Sequence, residues 1–236
     1  MQRHSFLDDY SDGCHAQILT ALSATNMTQQ TAYGEDEYCI EARQLIQARL
    51  GGVEADVHFV ASGTLANIIS IASALRPHEA VIAAVSGHIA MRETGAIEAT
   101  GHKIITMPSA DGKLTSDDVR AALQNNAHAP HMAKPRLVYI SNATEFGTVY
   151  TKAEMQSLSA TCKENGLLFL IDGARLGAAL SADINDLSLA ELAMLSDIFW
   201  IGGTKAGALV GEAIVVCNQQ LKDDFSFHIK QRGALL

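Results

Sequence analysis

The chain has 236 residues, 48% of them hydrophobic and 18% charged, a balance that suits a globular α/β protein with one sizeable core. Its 26 acidic and 17 basic residues leave a net charge of −9, which argues against nucleic acid or an anionic membrane as main partner but not against one bound phosphate. Four cysteines without a CxxC pair read as buried free thiols, the first ten residues lack a signal-peptide core, and the apolar runs are too short to span a bilayer, so the expected location is cytoplasmic.

Residues 1–30 read as an N-terminal segment. Glu35–Leu50 follows as a helix, with Glu35, Asp36 and Glu37 in its first turn, Arg49 in its last and Gly51-Gly52 as its stop. Tyr38, Ala42, Leu45 and Ile46 would line one face. Strands are predicted at Asp56–Ala61, Val81–Val85, Lys103–Thr106, Arg136–Ser141, Leu167–Ile171, Asp197–Ile201 and Gly211–Cys217. Helices are predicted at Thr64–Leu75, Ser116–Leu123, Lys152–Glu164 and Leu187–Leu195. Such alternation is that of a mainly parallel seven-stranded sheet flanked by helices, here one large domain over residues 31–217. Asn218–Leu236 reads as helical and ends on Ala234-Leu235-Leu236 without a stop signal, which suggests that the chain continues or that these residues dock on something unseen.

Chemistry-bearing residues fall where the predicted strands end. Ser62-Gly63-Thr64 joins a strand to a helix, so free backbone N–H groups and a positive dipole end would face a ligand there, a suitable cradle for phosphate. Taken alone it reads as an ordinary turn with Thr64 as cap. Asp172 closes the apolar run Leu167–Ile171 and needs a cationic partner such as a protonated pyridine nitrogen; the alternatives are a local pair with Arg175 or an Asx turn. Lys205 sits in the glycine-rich turn Gly202-Gly203-Thr204-Lys205-Ala206-Gly207, where an amine can act as nucleophile or simply lie at the surface. The coincidence of all three at strand ends favours pyridoxal phosphate, whose aldehyde takes an amine and whose ring nitrogen takes an anion. His88 follows another strand and is placed to stack on a flat ring or carry a proton, while His128 and His131 lie in a polar loop. The nine histidines show no metal-ligand spacing, and no metal is expected.

Ala32-Tyr33-Gly34-Glu35-Asp36, Ser62-Gly63-Thr64-Leu65-Ala66-Asn67, Gly87-His88-Ile89, Asp111-Gly112-Lys113-Leu114-Thr115, Asp172-Gly173-Ala174-Arg175 and Gly202-Gly203-Thr204-Lys205 together resemble the low-specificity L-threonine aldolase group of the aromatic amino acid β-eliminating lyases. The resemblance implies a fold-type I large domain that binds pyridoxal phosphate, with Lys205 on its aldehyde, Asp172 on its ring nitrogen, and Ser62, Gly63 and Thr64 around its phosphate. His88 would stack on the ring and face the substrate's β-hydroxyl, with His131 as a second histidine near that hydroxyl. Arg175 would contact the cofactor and the substrate carboxylate, and Lys230 and Arg232 would reach a neighbouring subunit's phosphate. Asp8-Asp9-Tyr10-Ser11 replaces a serine-containing segment of many relatives. The implied activity is cleavage of threonine or allo-threonine to glycine and an aldehyde by a homodimer or homotetramer. Residues 218–236 would begin a linker to a C-terminal small domain that is absent. The alternatives are another lyase of this scaffold, acting by β-elimination, and a truncated, non-catalytic remnant that binds the cofactor.

Overall fold

Seven strands form where the apolar runs fall: β1 (Asp56–Val60), β2 (Glu79–Ala84), β3 (Lys103–Met107), β4 (Lys134–Ser141), β5 (Leu168–Asp172), β6 (Ile198–Gly202) and β7 (Glu212–Val216). The structure, a computed structural model, describes residues 5–236; residues 1–4 of the expected N-terminal segment lie outside the described residues. The strands make one sheet in the order β1-β7-β6-β5-β4-β2-β3. β3, β2, β4, β5 and β6 pair in parallel, whereas β7 is antiparallel to both β6 and β1. Two reversals cancel, so β1 points the same way as β6 and its carboxyl end reaches the same edge of the sheet. In that register Glu212 lies opposite Val60 on one side and Gly202 on the other.

The helices are α1 (Ala16–Thr25), α2 (Glu37–Gln47), α3 (Gly63–Ala74), α4 (His88–Met91), α5 (Ser116–Asn125), α6 (Lys152–Glu164), α7 (Leu176–Leu180), α8 (Leu189–Leu195) and α9 (Phe225–Gln231). Thr115, Thr151 and Ser188 each start a helix with a full capping box, closed by Asp118, Glu154 and Glu191. Alternate residues of each central strand face opposite layers, as the two-residue period of a strand requires. Phe169 and Ile171 join the layer covered by α5, α6 and α8, and Leu168 and Leu170 join that covered by α3 and α9. Burial on both faces explains why β2 and β5 read as unbroken apolar runs. Among the described residues no helix is long and apolar enough to cross a membrane.

Three expectations are revised. Residues 218–236 are not one helix: a 3-10 turn at Gln219–Leu221 precedes α9, and Asp224, at φ +62°, breaks the helical path between them. Ala234 and Leu235 pack onto the α3 layer. The apolar face of α2 is only partly covered, because α2 rests against the edge strand β1; Ile46 touches the core while Tyr38 and Leu45 are exposed. α1 and α7 were not anticipated. α1 lacks acidic residues in its first turn and basic ones in its last, and α7 has only five residues, too few for a periodic signal.

The turns after β5 and β6 pack backbone against backbone. Gly202 donates its N–H to the Gly173 carbonyl at 2.9 Å, and a Cβ on Gly173 would lie 1.7 Å from the Trp200 carbonyl oxygen. Gly173→Ala is therefore expected to lower stability by at least about 2 kcal/mol through overpacking, read as a fall in the urea midpoint; an unchanged midpoint would refute this packing.

Candidate active site

The loops after β1, β2, β4, β5 and β6 converge at the carboxyl edge of the sheet around a cavity of about 380 Å³. Open α/β sheets bind ligands at this edge. Asp172 ends β5 and is 2% exposed. Its Oδ1 accepts from the Ala174 N–H at 2.9 Å, and its Oδ2 accepts from the Tyr139 hydroxyl at 2.5 Å and from Asn67 Nδ2 at 3.0 Å. The expected local turn therefore forms, but Arg175 is not the partner of Asp172. Burial, and then the negative charge of Asp172, push the Tyr139 phenol well above its usual range, which keeps it a donor. Among the described residues no lysine or arginine is ion-paired with Asp172, although its carboxylate borders the cavity.

Ser62 rather than Thr64 caps α3: its hydroxyl accepts from the Leu65 N–H at 3.3 Å, and its carbonyl takes the Ala66 N–H. The N–H groups of Gly63 and Thr64, at the first turn, have no intrahelical partner. Gly63 lies so close to the Trp200 ring that a Cβ would meet its Cη2 at 2.7 Å. Only glycine lets the helix start there over the indole.

Lys205 sits in the 3-10 turn Thr204–Ala206 and reaches the cavity. Glu212 pins this turn, accepting from the Gly203 N–H at 2.7 Å and the Thr204 hydroxyl at 2.9 Å. Burial outweighs these bonds and pushes the Glu212 carboxyl up from its usual range. Lys205 Nζ lies 3.6 Å from Asp9 Oδ1 and 5.6 Å from the centre of the Tyr10 ring. Arg175 donates to both oxygens of Asp9, through Nε and, at 3.2 Å, Nη2. Burial would raise the Asp9 carboxyl, but the Arg175 bond and the charges of Arg175 and Lys205 prevail and hold it below its usual range.

His88 opens α4 and borders the same cavity. Its Nδ1 lies 2.7 Å from Glu93 Oε1, and its main-chain N–H donates to Glu145 Oε1 at 3.0 Å. The Glu93 bond raises the imidazole pKa against the opposing effect of burial.

His131 is not part of this constellation. It lies exposed before β4, edge-on to His128 at 4.8 Å, and β4 runs eight residues from that end to the site end at Ser141. Within the chain Lys230 stands 4.5 Å over the Tyr33 ring, and Arg232 donates to the His228 carbonyl at 3.3 Å. Asn67, Glu93, Tyr139, Glu145, Trp200, Glu212 and Asp9 were missed. Asn67 and Glu212 did carry a signal, as polar residues inside the apolar stretch Leu65–Ile69 and at the head of the apolar run Ala213–Val216.

A buried carboxylate, a lysine and a helix N-terminus around one cavity, on this sheet, define a fold-type I protein of the pyridoxal-phosphate class. The chain matches the Beta-eliminating lyase family over residues 7–235, and it belongs to that family. It is 35% identical over 240 residues to the low specificity L-threonine aldolase of Pseudomonas sp. strain NCIMB 10558, covering 99% of this chain and 68% of that protein. The threonine aldolase structure from Leishmania major superposes with a TM-score of 0.97 at 52% identity, over 99% of this chain and 68% of that one. An aspartate aminotransferase from Rhizobium meliloti shares the fold alone, with a TM-score of 0.74 at 15% identity over 95% of this chain and 57% of that one. The chain thus spans about two thirds of the length of the Pseudomonas and Leishmania aldolases.

Pyridoxal phosphate is the cofactor of this family, and the residues fit it. Asp172 offers a buried anion without a side-chain cation among the described residues, and the start of α3 offers the first-turn N–H groups of Gly63 and Thr64 at the cavity wall.

The Asp9 pairs need an ionised carboxylate, so they hold above its usual pKa and are lost as pH falls through its lowered folded value. Asp9→Asn is expected to mimic that loss at neutral pH, raising amine-directed labelling of Lys205 severalfold in peptide maps; unchanged labelling would count against the contact.

Proposed function

We propose that this chain carries the reacting centre for retro-aldol cleavage of threonine or allo-threonine to glycine and acetaldehyde. The reading rests on the convergence of Asp172, Lys205, the start of α3 and the His88–Glu93 pair on one cavity. The names of the aldolase relatives support it.

What pyridoxal phosphate supplies when bound is an electron-withdrawing ring conjugated to the substrate's Cα. The chain's own groups do the rest. Gly63 and Thr64 N–H groups, with Ser62 beside them, would hold the phosphate. Lys205 would supply the amine for the cofactor's aldehyde. Asp172, held by Tyr139 and Asn67, would keep the ring nitrogen protonated from its buried position at the end of β5. Arg175 binds the substrate carboxylate as a two-point donor, a geometry it already uses toward Asp9. His88 takes the β-hydroxyl proton, directly or through one water. His131 has no part in this scheme within one chain.

A homodimer or homotetramer belongs to the same proposal, supported by exposed Leu19 and Leu22 on α1 and Tyr38 and Leu45 on α2. The family also includes β-eliminating chemistry, which the fold does not separate from aldol cleavage. Offering threonine, tryptophan, tyrosine and cysteine to one preparation and identifying the products separates them.

Lys205→Ala is expected to abolish both the absorbance of the anchored cofactor and the turnover, and borohydride reduction should label Lys205 in the unsubstituted chain. His88→Asn should lower kcat by about 10²–10⁴-fold while leaving the cofactor absorbance in place. Threonine cleavage that survives Lys205→Ala would sink the proposal.

A further inference from the structure

Glu93 lies just beyond α4, and its side chain has no exposed surface. Its Oε1 is 2.7 Å from His88 Nδ1 and 2.7 Å from Asn67 Nδ2, while its Oε2 is buried without a partner. The orientation of Asn67 follows from its other contacts. The Trp200 indole N–H, which can only donate, reaches Asn67 Oδ1 at 3.0 Å. Asn67 Nδ2 is therefore turned to two carboxylates at once, Glu93 at 2.7 Å and Asp172 at 3.0 Å.

A carboxylate oxygen can only accept, so the His88 bond is donated from Nδ1–H. In the neutral ring the lone pair then resides on Nε2, the nitrogen left for the cavity. We infer that Glu93 is a positioning residue for His88, fixing the ring as the Nδ1–H tautomer so that Nε2 can accept the substrate's β-hydroxyl proton. Asn67 ties this pair to Asp172, so one buried chain of hydrogen bonds runs from the proton acceptor to the carboxylate reserved for the cofactor ring. The inference deepens the aldol reading and rests on it. In the step itself the O–H bond breaks and N–H forms at Nε2. The O–H electron pair becomes the second C–O bond of the aldehyde, and the Cα–Cβ pair leaves with the glycine half.

A glutamine could accept the same two bonds through Oε1 and would leave an unpaired amide group where Oε2 is now unpaired, so hydrogen-bond satisfaction alone does not call for a carboxylate here. The negative charge has a use once His88 takes a proton, because it faces the imidazolium directly. Other charged groups around His88 include Asp172 at the end of β5, Lys205 after β6 and Glu145 after β4, with Arg92, Arg175 and Asp9 lining the adjoining cleft. Asp172 favours the protonated ring and Lys205 opposes it.

The test is 15N NMR of the His88 imidazole in the cofactor-loaded chain without substrate, followed by the same measurement on Glu93→Gln. The neutral ring of the unsubstituted chain is expected as the Nδ1–H tautomer; an Nε2–H tautomer overturns the inference whether or not the variant folds. In Glu93→Gln the His88 midpoint should move to lower pH, because the main influence raising it is gone. The acidic limb of kcat/KM for threonine should follow, with kcat lower by about tenfold or more and KM little changed. An unmoved midpoint with an unmoved pH profile overturns it as well. The tautomer is read with no substrate present, so its failure and a failure to cleave threonine are separate results.

Discussion

Between β1 and β6 the sheet inserts β7, antiparallel to both, and this reversal brings the carboxyl end of β1 to the edge where the parallel strands also finish. Were β7 parallel to β6 with β1 still antiparallel to it, Ser62-Gly63-Thr64 would emerge at the opposite edge from Asp172 and Lys205. The phosphate cradle and the amine share a cavity because two reversals cancel. The reversed strand also contributes a group of its own. Glu212, the first residue of β7, stands between Val60 and Gly202 and holds the turn that carries Lys205.

Three largely buried carboxylates, Glu93, Asp172 and Glu212, gather at this edge. None is paired with a lysine or arginine among the described residues; histidine, asparagine, tyrosine, threonine and main-chain N–H groups serve them instead. Buried charge without a counter-ion is costly, and hydrogen bonding relieves only part of that cost. The remainder makes the cavity a favourable place for positive charge. A protonated ring nitrogen fits that environment.

Much of this was legible in the sequence where local chemistry dominates. Apolar runs of strand length marked all seven strands, and acidic residues such as Asp36 and Glu37 marked the start of α2. Asp172, Lys205, Ser62–Thr64 and His88 stood out because each follows an apolar run at its predicted end. What escaped were partners brought together by topology. Nothing local in Trp200 announces a bond to Asn67, and nothing in Asp9 announces Arg175, because those pairs are separated by most of the chain. His131 shows the opposite case: resemblance put it near the site, while within one chain the length of β4 separates it from the edge where Asp172 and Lys205 lie. The C-terminal stretch misled for a local reason: its helical pattern hides the left-handed break at Asp224.

The indole that forbids any side chain at position 63 has another consequence. Trp200 is the single tryptophan of the chain. It is 1% exposed, borders the cavity and donates to Asn67 within the same network. Its emission colour and intensity therefore arise from one place in the molecule. The fold has installed its own fluorophore against the wall of the site, so occupancy can be followed by light without attaching a dye.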